Sequence, residues 1–187
     1  MRVSIVLCAA TLAASAPAYA ETYGKVFGGG TLGVDHDFTA GPVAGDYDTD
    51  FGYTVGGALG RDFSDYLSVE GEVAYRSNEI DGPAFGGEDD LNALSFMANG
   101  VLHGPAQAGG LTPYAGVGAG AVRLAAASDD DLVFAYQAFG GVSKSFGQNV
   151  SAGVEYRYLD ANEASFGGGL ETEYDSHGVN LVLTRKF

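Results

Sequence analysis

Cationic side chains are scarce: 9 Lys and Arg stand against 24 Asp and Glu, a net charge of −15. That sign opposes a phosphate backbone and excludes nucleic acid as a partner. Cysteine is all but missing. The single Cys8 follows a bulky Leu7, where a lipoprotein cleavage site would carry a small residue, and it lies in a stretch expected to be removed. The remaining chain therefore has no disulfide to lean on. No Ser- or Pro-rich linker interrupts the sequence, while 30 glycines are spread along it, which argues for one continuous β architecture. No apolar run of about 20 residues follows position 20, so a spanning helix is excluded. A membrane-inserted chain would then have to close into a barrel, because every backbone N–H and C=O in lipid needs an internal partner.

What is present begins with "MRVSIVLCAATLAASAPAYAE". It places Arg2 before an apolar run over residues 3–14, then small Ala18 and Ala20. This order predicts a secretory signal peptide over residues 1–20, cut after Ala20, and a single domain over residues 21–187. Arg2 leaves with the signal, so the exported chain is more acidic still.

Alternation of period two predicts eight strands, near residues 23–34, 50–63, 67–78, 91–103, 112–124, 132–144, 150–159 and 174–187. Each reaches the 9 to 11 residues that cross a bilayer at a tilt. The connections alternate as well. Long acidic stretches, "DHDFTAGPVAGDYDT", "EIDGPAFGGEDD", "AAASDDD" and "DANEASFGGGLETE", follow the odd strands; "SDY", "GPAQAGG" and "SFGQN" follow the even ones. Short turns at one end and long loops at the other are how bacterial outer-membrane barrels are built, with both termini at the periplasmic side. The reading is all-β: an eight-stranded antiparallel up-and-down transmembrane β-barrel in the outer membrane.

In "SAGVEYRYLD", Val154, Tyr156 and Tyr158 share one face, and Ser151, Gly153, Glu155 and Arg157 share the other. Phe51, Tyr53, Tyr75, Phe134, Tyr136, Tyr156 and Tyr158 fall near one set of strand ends, and Phe63, Tyr66 and Phe187 near the other. Two girdles match the two interfaces of a bilayer, with the apolar face toward lipid. The opposite face then supplies a lumenal polar network of Glu70, Glu72, Arg76, Asn99, Gln137, Glu155, Arg157 and Asn180, joined by Ser68 and Lys186. Charges left on the lipid face at the midplane would cost about 2–4 kcal/mol each for Arg or Lys.

The stretches "ALSFMANGV", "LTPYAGVGAGAV", "FAYQAFGGVS", "VSAGVEYRYLD" and "GVNLVLTRKF", in that order and with a terminal Phe, carry a resemblance. The chain resembles the small eight-stranded outer-membrane β-barrel proteins of the opacity and surface-antigen type, an OmpA/OmpX-like barrel, over essentially all of residues 21–187. The resemblance implies that Val179, Leu181, Leu183 and Phe187 form the signal read by the barrel assembly machinery. Arg185 departs from the pattern, since an apolar residue usually stands third from the end. Outer-membrane lipid and lipopolysaccharide are the implied surroundings, and envelope integrity, adhesion or antigenic display the implied roles.

Chemistry is weakly signalled. "GVGAG" at 116–120 continues as strand through Val122, whereas a phosphate loop opens a helix; glycine here makes room in a narrow lumen. A lipid A deacylase would need a serine two residues after its histidine, and "SHGV" offers none. His36, His103 and His177 read as scattered loop or interface residues, so no enzyme, cofactor or metal site is expected. The acidic patch is the more telling feature. Of the 24 acids, 18 lie in or beside the long loops with no Lys or Arg among them, including Asp35, Asp37, Glu88, Asp89, Asp90, Asp129, Asp130 and Asp131. They form either a solvated repulsive surface or a site for divalent cations or a basic partner. The expected role is structural or surface-interacting, adhesin- or antigen-like. A narrow porin-like channel for small solutes or ions is the alternative, and a lipid A-modifying enzyme ranks behind both.

Overall fold

Alternating side chains become hydrogen-bonded strands wherever a neighbour of matching pleat is at hand, and here each strand finds two. The computed structural model describes residues 21–32, 35–40, 43–49, 52–81, 89–126, 129–166 and 170–187. The strands are β1 (Thr22–Leu32), β2 (Asp35–Ala40), β3 (Val43–Thr49), β4 (Gly52–Asp62), β5 (Leu67–Asp81), β6 (Asp89–His103), β7 (Leu111–Ala126), β8 (Asp129–Phe146), β9 (Val150–Phe166) and β10 (Leu170–Lys186). Eight of them, β1, β4, β5, β6, β7, β8, β9 and β10, pair antiparallel in sequence around a ring. The ring closes where β10 returns to β1, Tyr23 opposite Lys186 and Leu32 opposite His177. It is a closed eight-stranded barrel without free edges, which is what a backbone in lipid requires.

The eight expected strands are all present, but the boundary between strand and loop is not where the sequence suggested. β2 and β3 pair with each other as a hairpin inside the stretch expected to be a loop. β2 touches β10 through Thr39 and Glu171, and β3 touches β5 through Asp48 with Asp81 and Thr49 with Ile80. β9 runs on to Phe166 and β10 starts at Leu170. The reason is cooperative: each further residue pair along a formed ladder adds backbone hydrogen bonds without a new turn, even where acidic side chains make the sequence read as a loop. Residues 1–20, assigned to the signal, and Glu88 of the acidic patch lie outside the described residues, as does Phe51.

The three connections at the opposite end are short. Residues 63–66 turn with Ser64 Oγ accepting from the Leu67 amide at 3.1 Å. Residues 104–110 use Gly109 and Gly110 at φ of 82° and 76°, and residues 147–149 use Gly147 at 81°, a left-handed conformation that glycine takes freely. Polarity is inverted relative to a soluble domain. Val26, Val55, Leu59, Val117, Leu181 and Leu183 are exposed on the outer wall, while Glu70, Glu72, Arg76, Glu155 and Arg157 are buried inside. Tyr53, Phe134, Tyr136 and Tyr156 stand exposed near the long-loop end, and Phe63, Tyr66, Phe146 and Phe187 near the short-turn end.

Candidate functional site

The barrel interior holds the one dense constellation of charged groups among the described residues. Strand parity creates it: on each wall strand every second residue points inward, so β5 contributes Ser68, Glu70, Glu72, Ala74 and Arg76, and β9 contributes Glu155, Arg157 and Leu159, all buried. Eight strands leave a lumen that side chains can just fill. Arg157 spans it. From β9, its Nη1 donates to Glu72 Oε1 on β5, the strand diametrically across the ring, while its Nε and Nη2 grip Glu155 Oε1 at 3.1 and 2.7 Å. The guanidinium lies between two aromatic rings, 4.5 Å from the centroid of Phe27 and 4.7 Å from that of Phe139.

The remaining acceptors are taken by neighbours. Asn99 Nδ2 donates to Glu72 Oε2 at 3.0 Å, and Gln137 Nε2 donates to Asn99 Oδ1 at 2.7 Å and to Glu72 Oε1 at 3.2 Å. Lys25 Nζ meets Glu70 Oε2 at 2.6 Å and Glu155 Oε2 at 3.8 Å. Tyr23 and Tyr114 donate to Glu70 and Glu155 at 2.8 and 3.1 Å. Among the described residues six charged side chains are buried, Lys25, Arg76 and Arg157 against Glu70, Glu72 and Glu155, and their charges balance. Such a set holds because every charge is desolvated together with its partners, and removing one would strand the others.

All eight residues assigned to the lumen from the sequence are buried. Six of them, Glu70, Glu72, Asn99, Gln137, Glu155 and Arg157, form the connected network. Arg76 Nη1 donates to Ser95 Oγ at 3.0 Å. Asn180 is buried with its Oδ1 lacking a hydrogen-bond partner among the described groups. Lys186 stands at the short-turn mouth of the lumen, half exposed, and joins Glu21 Oε2 at 2.9 Å and Asp62 Oδ2 at 2.8 Å. It sits at the final residue of β10, where the wall has ended and its long side chain reaches along the mouth. Sequence reasoning missed Lys25, Tyr23, Tyr114, Phe27 and Phe139. The signal was in the partner strands, where glycine faces aromatic: Gly56 opposes Phe27 and Gly60 opposes Tyr23 across β1 and β4. The "GVGAG" stretch of β7 follows the same rule. A Cβ at Gly116 would run into the Phe139 ring, and one at Gly118 into Asn99.

Above the charged layer, toward the long loops, Ala93, Met97, Val122, Val133, Ala135, Leu159 and Ala161 form an apolar cluster on the β6–β9 side, while Thr54, Arg76 and Ser176 are buried on β4, β5 and β10. Below it, a cavity of about 730 Å³ opens at the short-turn end. The acidic patch occupies the opposite extension. Asp35 and Asp37 lie on β2 in register with Asp48 and Asp46. Asp89 and Asp90 open β6 opposite Ile80 and Glu79, and Asp129, Asp130 and Asp131 open β8 opposite Ala126, Ala125 and Leu124. Acidic residues are thus register partners at Asp35 and Asp48, Asp37 and Asp46, and Glu79 and Asp90.

The histidines are placed as follows. His36 is on β2. His103 Nε2 approaches Ser68 Oγ at 2.9 Å, and Ser68 Oγ also donates to Asp62 Oδ1 at 2.6 Å. A hydroxyl has one proton; with that proton on the Asp62 carboxylate, His103 must act as donor, so the group is a hydrogen-bonded bridge and not an activated nucleophile. His177 Nδ1 meets Tyr156 Oη at 2.6 Å and its Nε2 lies 3.5 Å from Asp175. The terminal strand turns Val179, Leu181, Leu183 and Phe187 outward and exposed, with the Arg185 guanidinium 5.9 Å from the centroid of the Phe187 ring.

Comparison with known proteins agrees with this architecture. A family model described as an outer membrane protein beta-barrel domain matches residues 6–187. The crystal structure of Neisserial surface protein A superposes with a TM-score of 0.59 at 15% identity, covering 90% of this chain and 99% of that one. The outer membrane protein OprG from Pseudomonas aeruginosa gives 0.56 at 15% identity, covering 90% and 95%. No curated protein matches the sequence.

Proposed function

Because the chain belongs to the outer membrane protein β-barrel family, and so is an integral protein of the outer membrane, we propose that it is a plugged barrel acting through its acidic outer surface. Its role is structural or surface-interacting, as for an adhesin or antigen, and not the passage of solutes. The observation that carries this is the Arg157–Glu72 pair joining opposite walls, backed by Gln137 and Asn99 and capped by the apolar cluster. A permeating ion would have to break a desolvated ion pair and then pass the apolar cluster of β6–β9. Both barriers are steep in a low-dielectric lumen.

The outward function then falls to the long hairpins, whose acid-rich sequence favours divalent cations or a basic partner, and whose neighbours in the outer leaflet are lipopolysaccharide phosphates. The four residues Val179, Leu181, Leu183 and Phe187 serve the assembly machinery during biogenesis. Planar-bilayer recording of the purified protein tests the reading. Quiet membranes are expected, and regular single-channel steps that survive purification would replace it with a narrow channel.

A further inference from the structure

The cavity at the short-turn end is two-sided. On the β1, β4, β5 and β6 half it is lined by charge: Glu21, Asp62, Asp65, Glu70 and Lys25. The β7, β8, β9 and β10 half contributes short hydroxyl side chains, Thr112, Ser143, Ser145, Ser151 and Thr184, together with Tyr114 and, at the rim, Lys186. Lys25 and Glu70 are paired deep inside. At the mouth three carboxylates, Glu21, Asp62 and Asp65, line the cavity; Asp62 accepts from Ser68 Oγ, and the Lys186 ammonium pairs with Glu21 and Asp62. That ammonium shows what the mouth accepts: Nζ is held between two carboxylates at 2.9 and 2.8 Å. No group of three or more His, Cys, Asp or Glu able to hold a metal ion occurs among the described residues.

We propose that this cavity is a periplasm-facing binding site for a small hydroxylated primary ammonium compound, an amino sugar in chemical class, and that Lys186 occupies its ammonium subsite when the site is empty. The ligand ammonium replaces Nζ between Glu21 and Asp62, and its hydroxyls exchange hydrogen bonds with the Ser and Thr wall. Exposed ion pairs are weak, so the lysine, half exposed on a flexible stem, swings out readily. While it stays in place, it lowers the apparent affinity by the fraction of molecules whose subsite is free. The volume, about 730 Å³, lies within the range of small-molecule sites.

Calorimetric titration of the purified protein in detergent with glucosamine tests this, at about pH 6, where its amine is protonated. N-acetylglucosamine and Mg²⁺ are the comparison probes. Saturable binding of glucosamine, without binding of the acetylated sugar, is expected. Lys186→Met should tighten it severalfold, to about tenfold, and Asp62→Asn should abolish it; retention of a heat-dependent gel shift in each variant shows that the barrel is folded. Three results would each overturn the proposal: equal binding of the two sugars, equal binding of Mg²⁺, or no change in the Lys186→Met protein. Because the site lies on the far side of the plug from the long hairpins, none of these results bears on the surface role.

Discussion

Arg157 shows most clearly how one side chain sets the interior. Its guanidinium touches two carboxylates and two aromatic faces, so truncation leaves Glu72 and Glu155 buried without their main partner. Arg157→Leu is expected to lower the unfolding free energy by about 3–5 kcal/mol, read from denaturant titration of the protein in detergent. The same variant should show a measurable leak in planar bilayers. Gly116 is a second sensitive point. Valine there collides with the Phe139 ring, and overpacking of this kind costs about 1–3 kcal/mol; Gly71, whose Cβ would meet nothing within 4 Å, should accept Ala with a change too small to shift the midpoint. A denaturant midpoint equal to wild type for Gly116→Val would refute the steric account.

At the level of strands, the inward and outward faces were legible because a pleat alternates strictly. Glu155 with Arg157 and Val154 with Tyr156 could only point opposite ways, and the paired positions on β5 followed. What was not legible depended on neighbours. β1 reads Tyr23, Lys25, Phe27 on its inner face, two aromatics that a girdle argument sends outward; only their register against Gly60 and Gly56 of β4 reveals the space that admits them. The continuation of hairpins past the membrane was hidden for a related reason. Acid-rich composition reports solvent contact, and a ladder in water is as acidic as a loop. The seam joining the first and last wall strands also belongs here. The Phe187 amide donates to the Thr22 carbonyl at 2.9 Å, while the exposed Phe187 ring sits at the short-turn girdle. Phe187→Ala should leave the refolded barrel's thermal midpoint nearly unchanged in vitro yet reduce its amount in the outer membrane of expressing cells severalfold, by immunoblot. Equal amounts of variant and wild type would remove the terminal Phe from the assembly signal.

Across the whole molecule, charge is sorted by depth. Among the described residues the six buried charges cancel, so they add nothing to the chain's net charge of −15, and 18 of its 24 acids lie in or beside the long connections. Repulsion between Asp35 and Asp48, and between Asp37 and Asp46, directly opposed across β2 and β3, is screened as the Debye length falls from about 30 Å in dilute buffer to a few ångström in molar salt. Thermal stability should therefore rise with NaCl, and rise further with millimolar Ca²⁺ if the patch takes up cations by mass action. A Ca²⁺ effect no larger than that of NaCl at equal ionic strength would leave only a solvated, repulsive surface.

The balanced lumen has a bearing on crowding. A protein whose acidic residues crowd one pole behaves in a membrane like a row of tethered anions, and neighbouring copies meet pole to pole because the bilayer holds them upright. Packing of copies side by side is then governed by the ionic atmosphere above the membrane and not by the wall that touches lipid: dilute media spread the copies apart, and concentrated salt, by screening, lets them approach.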